Sequence, residues 1–163
     1  MGSGATKENL NVYFRARKQA AMYNEKLSSR EGAAELLGIS SSTLADYELG
    51  ITKFIPVDKV VLMADLYNCP ELKTGYCKYE CPIGKYIPLA TSVNGIEGIV
   101  LRLIREFDLC EIKGIEKALI DIAADGIISE DEKPKFEIII SKLDDMSVAI
   151  SELKLAGEKL LKG

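Results

Sequence analysis

The chain has 163 residues, of which 47% are hydrophobic and 28% charged, and its formal net charge is −4. This composition is typical of one globular domain or two small ones, and it excludes disorder along most of the chain. Because histidine is absent, catalytic triads, histidine bases and His-containing metal sites are excluded. No nucleophile–base pair, phosphate-binding loop or pair of carboxylates in an evident cleft stands out, so we do not expect an enzyme.

The apolar runs and the cysteines predict where the protein works. No apolar run approaches the roughly 18 residues needed to cross a bilayer, and no signal-peptide pattern is present. The cysteines occur without secretory signals, which predicts a reducing, cytoplasmic setting and no membrane partner. They are Cys69, Cys77, Cys81 and Cys110.

The same thiols could in principle bind zinc or an iron–sulfur cluster. Cys69, Cys77 and Cys81 are the weak candidates, because they are not spaced as two C-x-x-C pairs. Free cysteine is often a small buried hydrophobe. We therefore expect structural or free thiols and no cofactor, while a thiol- or metal-responsive regulator stays open as an alternative.

The chain divides into three segments that differ in their pattern of apolar, Pro and Gly residues. Residues 10–72 carry short apolar patches that are interrupted by Ser, Gly or Pro, and residues 92–163 carry long helical periodicity. Residues 73–91 are rich in Cys, Pro and Gly, which predicts an irregular linker. Strand signals are weak, so the expected fold class is all-α.

The first segment predicts a series of short helices. Ser29 is a favourable N-cap for a second helix over residues 30–37, which ends at Gly38, a residue suited to a left-handed C-cap. Ser40 caps a third helix over residues 41–49. On that helix, Leu44 and Tyr47 are expected to point inward.

A first helix and a fourth helix complete this segment. The first is predicted from about Leu10 to Tyr23, with Arg15, Arg17 and Lys18 on its polar face. The fourth begins at Pro56, because the fixed φ of proline suits a first helical turn.

Two short helices joined by a Gly-Ile-Ser turn resemble the helix-turn-helix of the lambda-repressor-like (XRE) family of transcription regulators. The resemblance covers about residues 10–72. The matching residues are Ser29-Arg30-Glu31, Ala33-Ala34, Leu37-Gly38-Ile39-Ser40, Ser42-Thr43-Leu44 and Tyr47-Glu48 followed by Gly50.

The resemblance implies that the third helix enters the major groove of double-stranded DNA. Its outward residues Ser41, Ser42 and Asp46, with Thr43 beside them, are then the candidate base readers. The resemblance also places Ser29-Arg30 and the Thr52-Lys53 loop against phosphates.

Two features depart from this family pattern. The third helix carries no Arg, Lys, Asn or Gln, the side chains that make the strongest base contacts. Gly32 lies inside the second helix, at a cost of about 1 kcal/mol relative to Ala. The local charge favours DNA nevertheless, because residues 11–30 hold five basic side chains and one acidic one. The basic side chains are Arg15, Arg17, Lys18, Lys26 and Arg30.

The second half predicts a long-helix hairpin with coiled-coil character. One arm is expected over about residues 95–124, with a kink or break at Gly114. The other begins after Ser129, which opens a capping box with Glu132. Its heptad pattern predicts a packed seam and a homodimer through residues 92–163. The seam residues are Phe136, Leu143, Ile150 and Gly157 at one position and Ile139, Met146, Leu153 and Leu160 at the other.

The leading hypothesis is therefore a sequence-specific DNA-binding transcription regulator that acts as a homodimer. An alternative is a protein-interaction module, such as an antirepressor or assembly factor, on the same fold. A spacing of acidic residues over 121–132 that imitates a calcium loop is a weaker possibility, because its third position is Ala123.

Overall fold

The computed structural model describes residues 11–123 and 127–162. All regular structure in these residues is helical, which confirms the predicted all-α class. The chain forms two compact units: residues up to Lys85 together with those from Glu158 onward, and residues Tyr86–Gly157. Leu10 and Ala124, at which the sequence analysis placed helix ends, lie outside the described residues. None of the described helices is long and apolar enough to cross a membrane.

The first unit contains five α-helices. A 3-10 turn at Glu25–Ser28 precedes the second helix, and another at Gly84–Tyr86 follows the fifth. The helices are α1 Val12–Ala20, α2 Arg30–Leu37, α3 Ser41–Glu48, α4 Val57–Leu66 and α5 Glu71–Tyr79. The expected irregular linker over 73–91 is thus wrong over its first part, because α5 continues through Gly75 to Tyr79.

The capping residues of α2 and α3 agree with the sequence prediction. The Ser29 hydroxyl accepts a hydrogen bond from the Gly32 amide, and Gly38 ends α2 in the left-handed conformation at φ 63°. The Ser40 hydroxyl accepts from the Thr43 amide and so begins α3. Both helix starts therefore have a side-chain partner for an amide that the helix leaves free.

One apolar core holds this unit together. The helices α2 and α3 pack on each other, α1 packs on α3, and α4 packs on α2 and α5. Leu27, Leu44 and Met63 are fully buried at its centre. The inward positions predicted for Leu44 and Tyr47 are confirmed.

The second unit contains α6 Ile96–Glu106, α7 Leu109–Ala123 and most of α8 Lys133–Lys162. The break predicted at Gly114 occurs instead at Phe107–Asp108. The Asp108 carboxylate accepts hydrogen bonds from the Cys110 and Glu111 amides and so caps α7. A helix can continue through one internal glycine at a cost of about 1 kcal/mol, whereas a side-chain cap favours a helix start at one position. The helix α7 therefore begins after Asp108 and continues through Gly114.

The buried face of α8 does not coincide with the heptad seam that the sequence predicts. Ile139, Ala149 and Ala156 are buried, whereas Leu143 and Ile150 at the first heptad position are 39% and 43% exposed. Before α8, the Glu132 carboxylate accepts a hydrogen bond from the Ser129 amide, which is one of the two bonds of the expected capping box.

Candidate nucleic-acid interface

The outer face of α3 brings together the residues predicted to read bases. Ser41 and Ser42 are exposed on its first turn, and Asp46 lies half-buried one turn later. The Asp46 carboxylate forms no ion pair with any residue that the structure describes. Thr43 is turned to the cap, where its hydroxyl lies 2.7 Å from the Ser40 hydroxyl.

Arg17 was expected on the exposed face of α1, and this expectation is wrong. Its side chain is 2% exposed. Nη2 donates to Glu48 Oε2 at 2.9 Å, and Nη1 donates to the Leu27 carbonyl at 2.9 Å. Arg17 follows Tyr13 by four residues and therefore shares the inward face of α1. It is not available for a phosphate contact.

Glu48, at the end of α3, joins three parts of this unit. It is fully buried, and besides Arg17 it accepts a hydrogen bond at 2.8 Å from Nε of Arg30, at the start of α2. Two guanidinium groups on one carboxylate compensate the cost of burying its charge.

Sequence reasoning gave Glu48 no role beyond its place in the motif. The signal was present, since Leu44, Tyr47 and Glu48 follow the i, i+3, i+4 spacing of a single helix face. A carboxylate on an inward face requires a buried cation, and Arg17 supplies it.

The remaining predicted phosphate contacts differ in their availability. Arg15 and Lys18 on α1 are exposed, and Lys18 Nζ donates to the Ser28 carbonyl at 2.8 Å. Ser29 is exposed, but its hydroxyl is engaged in the α2 cap. The Arg30 side chain is 29% exposed beside Glu48.

The loop after α3 carries the last pair of candidates. Lys53 is exposed, and its ammonium lies 5.4 Å from the centroid of the Phe54 ring, within cation–π range. Thr52 is half-buried, and its amide donates to the Asp46 carbonyl at 3.3 Å. Hydrogen bonding thus ties this loop to α3.

The cysteines do not form a cluster. All four are free thiols, and no three acidic or thiol side chains in residues 11–122 and 127–161 lie close enough to hold a metal ion. Burial, with the nearby Glu71 carboxylate, raises the pKa of the Cys69 thiol to about 11. A thiol with that pKa stays protonated and is a poor nucleophile at neutral pH. Asp125 of the calcium-like spacing lies outside the described residues.

Comparison with known proteins gives no relative on which to base a function. No protein-family model, no curated protein sequence and no solved structure matches this chain.

Proposed function

We propose that this protein is a sequence-specific DNA-binding transcription regulator of the lambda-repressor-like class that acts as a homodimer. The observation that carries the proposal is the α2–turn–α3 arrangement. Its outer face presents Ser41, Ser42 and Asp46, while Glu48 fixes the far end of α3 through two arginines. A helix that enters the major groove must be held rigidly at both ends, because base contacts tolerate little displacement.

The charges of this unit support contact with phosphates. Arg15, Lys18 and Lys53 are exposed, and Arg30 lies at the N-terminus of α2, where backbone amides also favour anions. The buried Arg17 is neutralised by Glu48 and adds nothing to this attraction. The electrostatic contribution is accordingly moderate, with about three or four phosphate contacts per subunit.

The apolar surface of the second unit supports a homodimer. Ile140, Leu143, Ile150 and Leu153 are each between 39% and 43% exposed on α8. Three of them are separated by heptad-like steps of seven and three residues, which is the spacing of a helix–helix seam. A second copy of α8 would cover this stripe and join two copies of the chain, as a DNA site with two half-sites requires.

Selection from random duplex DNA, using the full chain, tests the proposal. We expect enrichment of a site with two related halves. The logarithm of the binding constant for that site should fall linearly with the logarithm of the salt concentration. Arg15→Ala should reduce this slope by about 1 for each phosphate that Arg15 neutralises. Lys117→Ala, which removes an exposed lysine of α7 in the second unit, is the control and should leave the slope unchanged.

A protein-interaction module is the second candidate function. The observation that favours it is apolar exposure close to α3, where Ile51, Phe54 and Val57 are all more than half exposed. Three large apolar side chains exposed within seven residues of sequence could contribute to a contact with another protein. If selection enriches no sequence and retention on DNA is lost at about 0.15 M salt, the interaction module replaces the DNA-binding proposal.

A further inference from the structure

The second unit has a small apolar core for its length. Among its described residues, seven apolar side chains are buried and three of these are alanines, whereas fifteen form the core of the first unit. A domain of about 70 residues buries a modest share of its surface even when its core is complete. The second unit therefore lacks part of the apolar contact that a stable fold requires.

The helix α6 carries apolar surface that matches this deficit. Ile99 is the most deeply buried residue of α6, with 1% of its surface exposed. Next to it round the helix are four apolar residues that are between 44% and 69% exposed, which are Ile96, Val100, Leu101 and Ile104. The helix is thus apolar well beyond the stripe that it buries within its own unit.

The helices α6 and α8 run antiparallel, and one side of the pair is already covered. Arg102 Nη1 donates to Glu152 Oε2 at 3.3 Å, and Lys142 Nζ donates to Glu106 Oε2 at 3.0 Å. Residue numbers therefore rise along α6 as they fall along α8. The Asn94 amide donates to Glu152 Oε1 at 3.0 Å, so the chain before α6 covers the Glu152 side of α8.

The exposed apolar residues of both helices lie on the other side of the pair. Val100 follows the buried Ile99, and Ile150 follows the buried Ala149, so each lies one step of about 100° past the buried position. Antiparallel helices wind in opposite senses when they are viewed along one axis, so both steps lead to the same side. Glu152, on the covered side, lies about 200° round α8 from Ile150. The four α6 residues and the exposed stripe of α8 therefore form one surface, the apolar face of the second unit.

The area of this apolar face approaches what a stable dimer needs. If a fully exposed Ile or Leu side chain presents roughly 100 Å² of apolar surface, the α8 stripe presents about 160 Å² and the whole apolar face about 400 Å². A standard interface buries about 800 Å² per partner, of which about 65% is apolar in homodimers. The α8 stripe alone supplies about a third of this apolar area, and the whole face about three quarters.

The charge of the second unit favours a second copy over a lipid surface. Residues 86–157 hold 14 Asp and Glu against 8 Lys and Arg. This excess of acidic side chains is repelled by anionic lipid head groups. An apolar face can pack on itself about a twofold axis, because none of its apolar side chains requires an opposite charge on the partner.

We propose that the apolar face of the second unit packs on the same face of a second copy, so that two α6 and two α8 helices complete an intermolecular four-helix bundle. The inference rests on the proposed homodimer and deepens it, because it adds α6 to the interface. Each second unit obtains from its partner the apolar contact that its own core lacks. Folding of this unit is therefore coupled to association.

Sedimentation velocity of the full chain at micromolar concentration tests the role of α6. Ile104→Glu places a charge in the interface, at a position that is 67% exposed within one copy and so tolerates a polar side chain there. The Kd of the dimer should rise at least about 30-fold, as for loss of an interface hot spot. Ile83→Glu is the matched control, because Ile83 is 74% exposed in the first unit, and it should leave the Kd unchanged.

Urea unfolding followed by far-UV ellipticity tests the coupling of folding to association. For wild type, an increase of about tenfold in protein concentration should raise the urea midpoint, because the dimer dissociates as it unfolds. For Ile104→Glu, the midpoint should be lower than in wild type and independent of protein concentration. A wild-type midpoint that does not change with concentration overturns the coupling.

The outcomes separate this interface from the other proposals. A dimeric Ile104→Glu variant overturns the role of α6, and a monomeric Ile150→Glu variant beside it leaves a homodimer through α8 alone. A monomeric wild type overturns both. Binding of wild type, but not of Ile104→Glu, to phosphatidylcholine vesicles would assign the apolar face to lipid and overturn the bundle. If selection enriches no DNA site, sedimentation still decides the interface.

Discussion

At the scale of single residues, Glu48 has the largest structural consequence. Its carboxylate is fully buried and accepts hydrogen bonds from Arg17 of α1 and Arg30 of α2. A buried ion pair adds little stability compared with an apolar pair, but removing one partner leaves a charge without compensation. Glu48 therefore fixes the position of α3. Its effect on the free energy of unfolding becomes large only when Glu48 is replaced and the buried arginine loses its partner.

Glu48→Gln should lower the free energy of unfolding by about 3 kcal/mol, because Arg17 remains charged and buried. Urea denaturation of the full chain measures this loss. Glu35→Gln, which removes an exposed carboxylate from α2, is the matched control and should change stability by less than about 0.5 kcal/mol. A loss below about 1 kcal/mol for Glu48→Gln would indicate that water reaches the Arg17 guanidinium.

Asp46 is the residue through which base preference can be tested. Its carboxylate can accept a hydrogen bond from the amino group of cytosine, and it is repelled by phosphates. Asp46→Asn should bind DNA more tightly overall and shift preference toward adenine at one position in each half-site. Affinities for a set of single-base variants of the selected site provide the measurement. The same change at every base position would show that Asp46 reads no base.

Glu106 makes the second unit sensitive to acid. Hydrogen bonds from Arg105 and Lys142, at 2.9 and 3.0 Å, lower the pKa of this carboxyl below its ordinary value of 4.5. The resulting stabilisation is complete above the unfolded pKa and is lost as the pH falls through the folded one.

Glu106→Gln should consequently destabilise the protein at pH 6 and have a progressively smaller effect below about pH 4.5. Unfolding in urea at several pH values measures the difference from wild type. Glu137→Gln, on an exposed position of α8, should give a small difference at every pH. A Glu106→Gln effect that is constant with pH would contradict the ion pairing.

At the scale of the elements, Gly32 shows why helix propensity alone can predict the wrong sign for the stability change of a substitution. Propensity alone predicts that Ala at this position stabilises α2. In the structure, however, a Cβ on Gly32 would lie 2.2 Å from the Lys26 carbonyl oxygen. The glycine is required because the 3-10 turn passes directly beneath α2.

Gly32→Ala should therefore destabilise the protein by about 1 kcal/mol or more, since backbone must move. Gly75→Ala is the control within the same unit, because a Cβ on Gly75 in α5 meets no atom within 4 Å. It should stabilise the protein by about 0.5–1 kcal/mol. Thermal unfolding distinguishes the two signs. Stabilisation by Gly32→Ala would place the Lys26 carbonyl elsewhere.

The helices that the sequence predicts well are those with local end signals. Ser29, Gly38 and Ser40 act on amides and dihedral angles within three residues, so their effects can be inferred without tertiary structure. The helix α5 was missed because Gly75 and the surrounding cysteines resemble a loop. The burial of Leu72 against the core of the first unit outweighs that local preference.

The candidate site was predictable to the same extent. The exposed positions of Ser41, Ser42, Arg15 and Lys53 follow from helical spacing and composition. The burial of Arg17 does not, because a guanidinium is ordinarily exposed and its partner Glu48 is 31 residues away. Pairing over such a distance is fixed by the packing of α1 on α3, which no local pattern encodes.

At the scale of the whole molecule, the half-exposed stripe of α8 determines the expected assembly. Ile150→Glu should shift the full chain from dimer to monomer, because it places a charge in the apolar seam. Sedimentation velocity at micromolar concentration measures the change. Asp145→Lys, at an exposed position far around α8 from Ile150, should leave the proposed dimer intact. A monomeric wild type would overturn the homodimer.

The sequence also did not predict that the first unit is discontinuous. Residues from Glu158 onward belong to it, although the pattern assigned them to the C-terminal domain. Lys73 pairs with Glu158 at 2.6 Å, and Glu71 pairs with Lys159 at 2.9 Å. A single charged residue in the sequence does not indicate which distant residue it pairs with. The heptad pattern of α8 therefore assigned residues 158 onward to the C-terminal domain.

This discontinuity has a consequence for synthesis on the ribosome. Ribosomes add about 5 to 20 residues per second, and Glu158 follows Lys73 by 85 positions. For roughly 4 to 17 s the nascent chain therefore exposes the apolar residues Ala20 and Leu66, beside which Lys159 and Leu160 later lie. During this interval the emerging polypeptide offers a binding surface to chaperones, and it loses that surface once residues 158–160 have been synthesised and have docked.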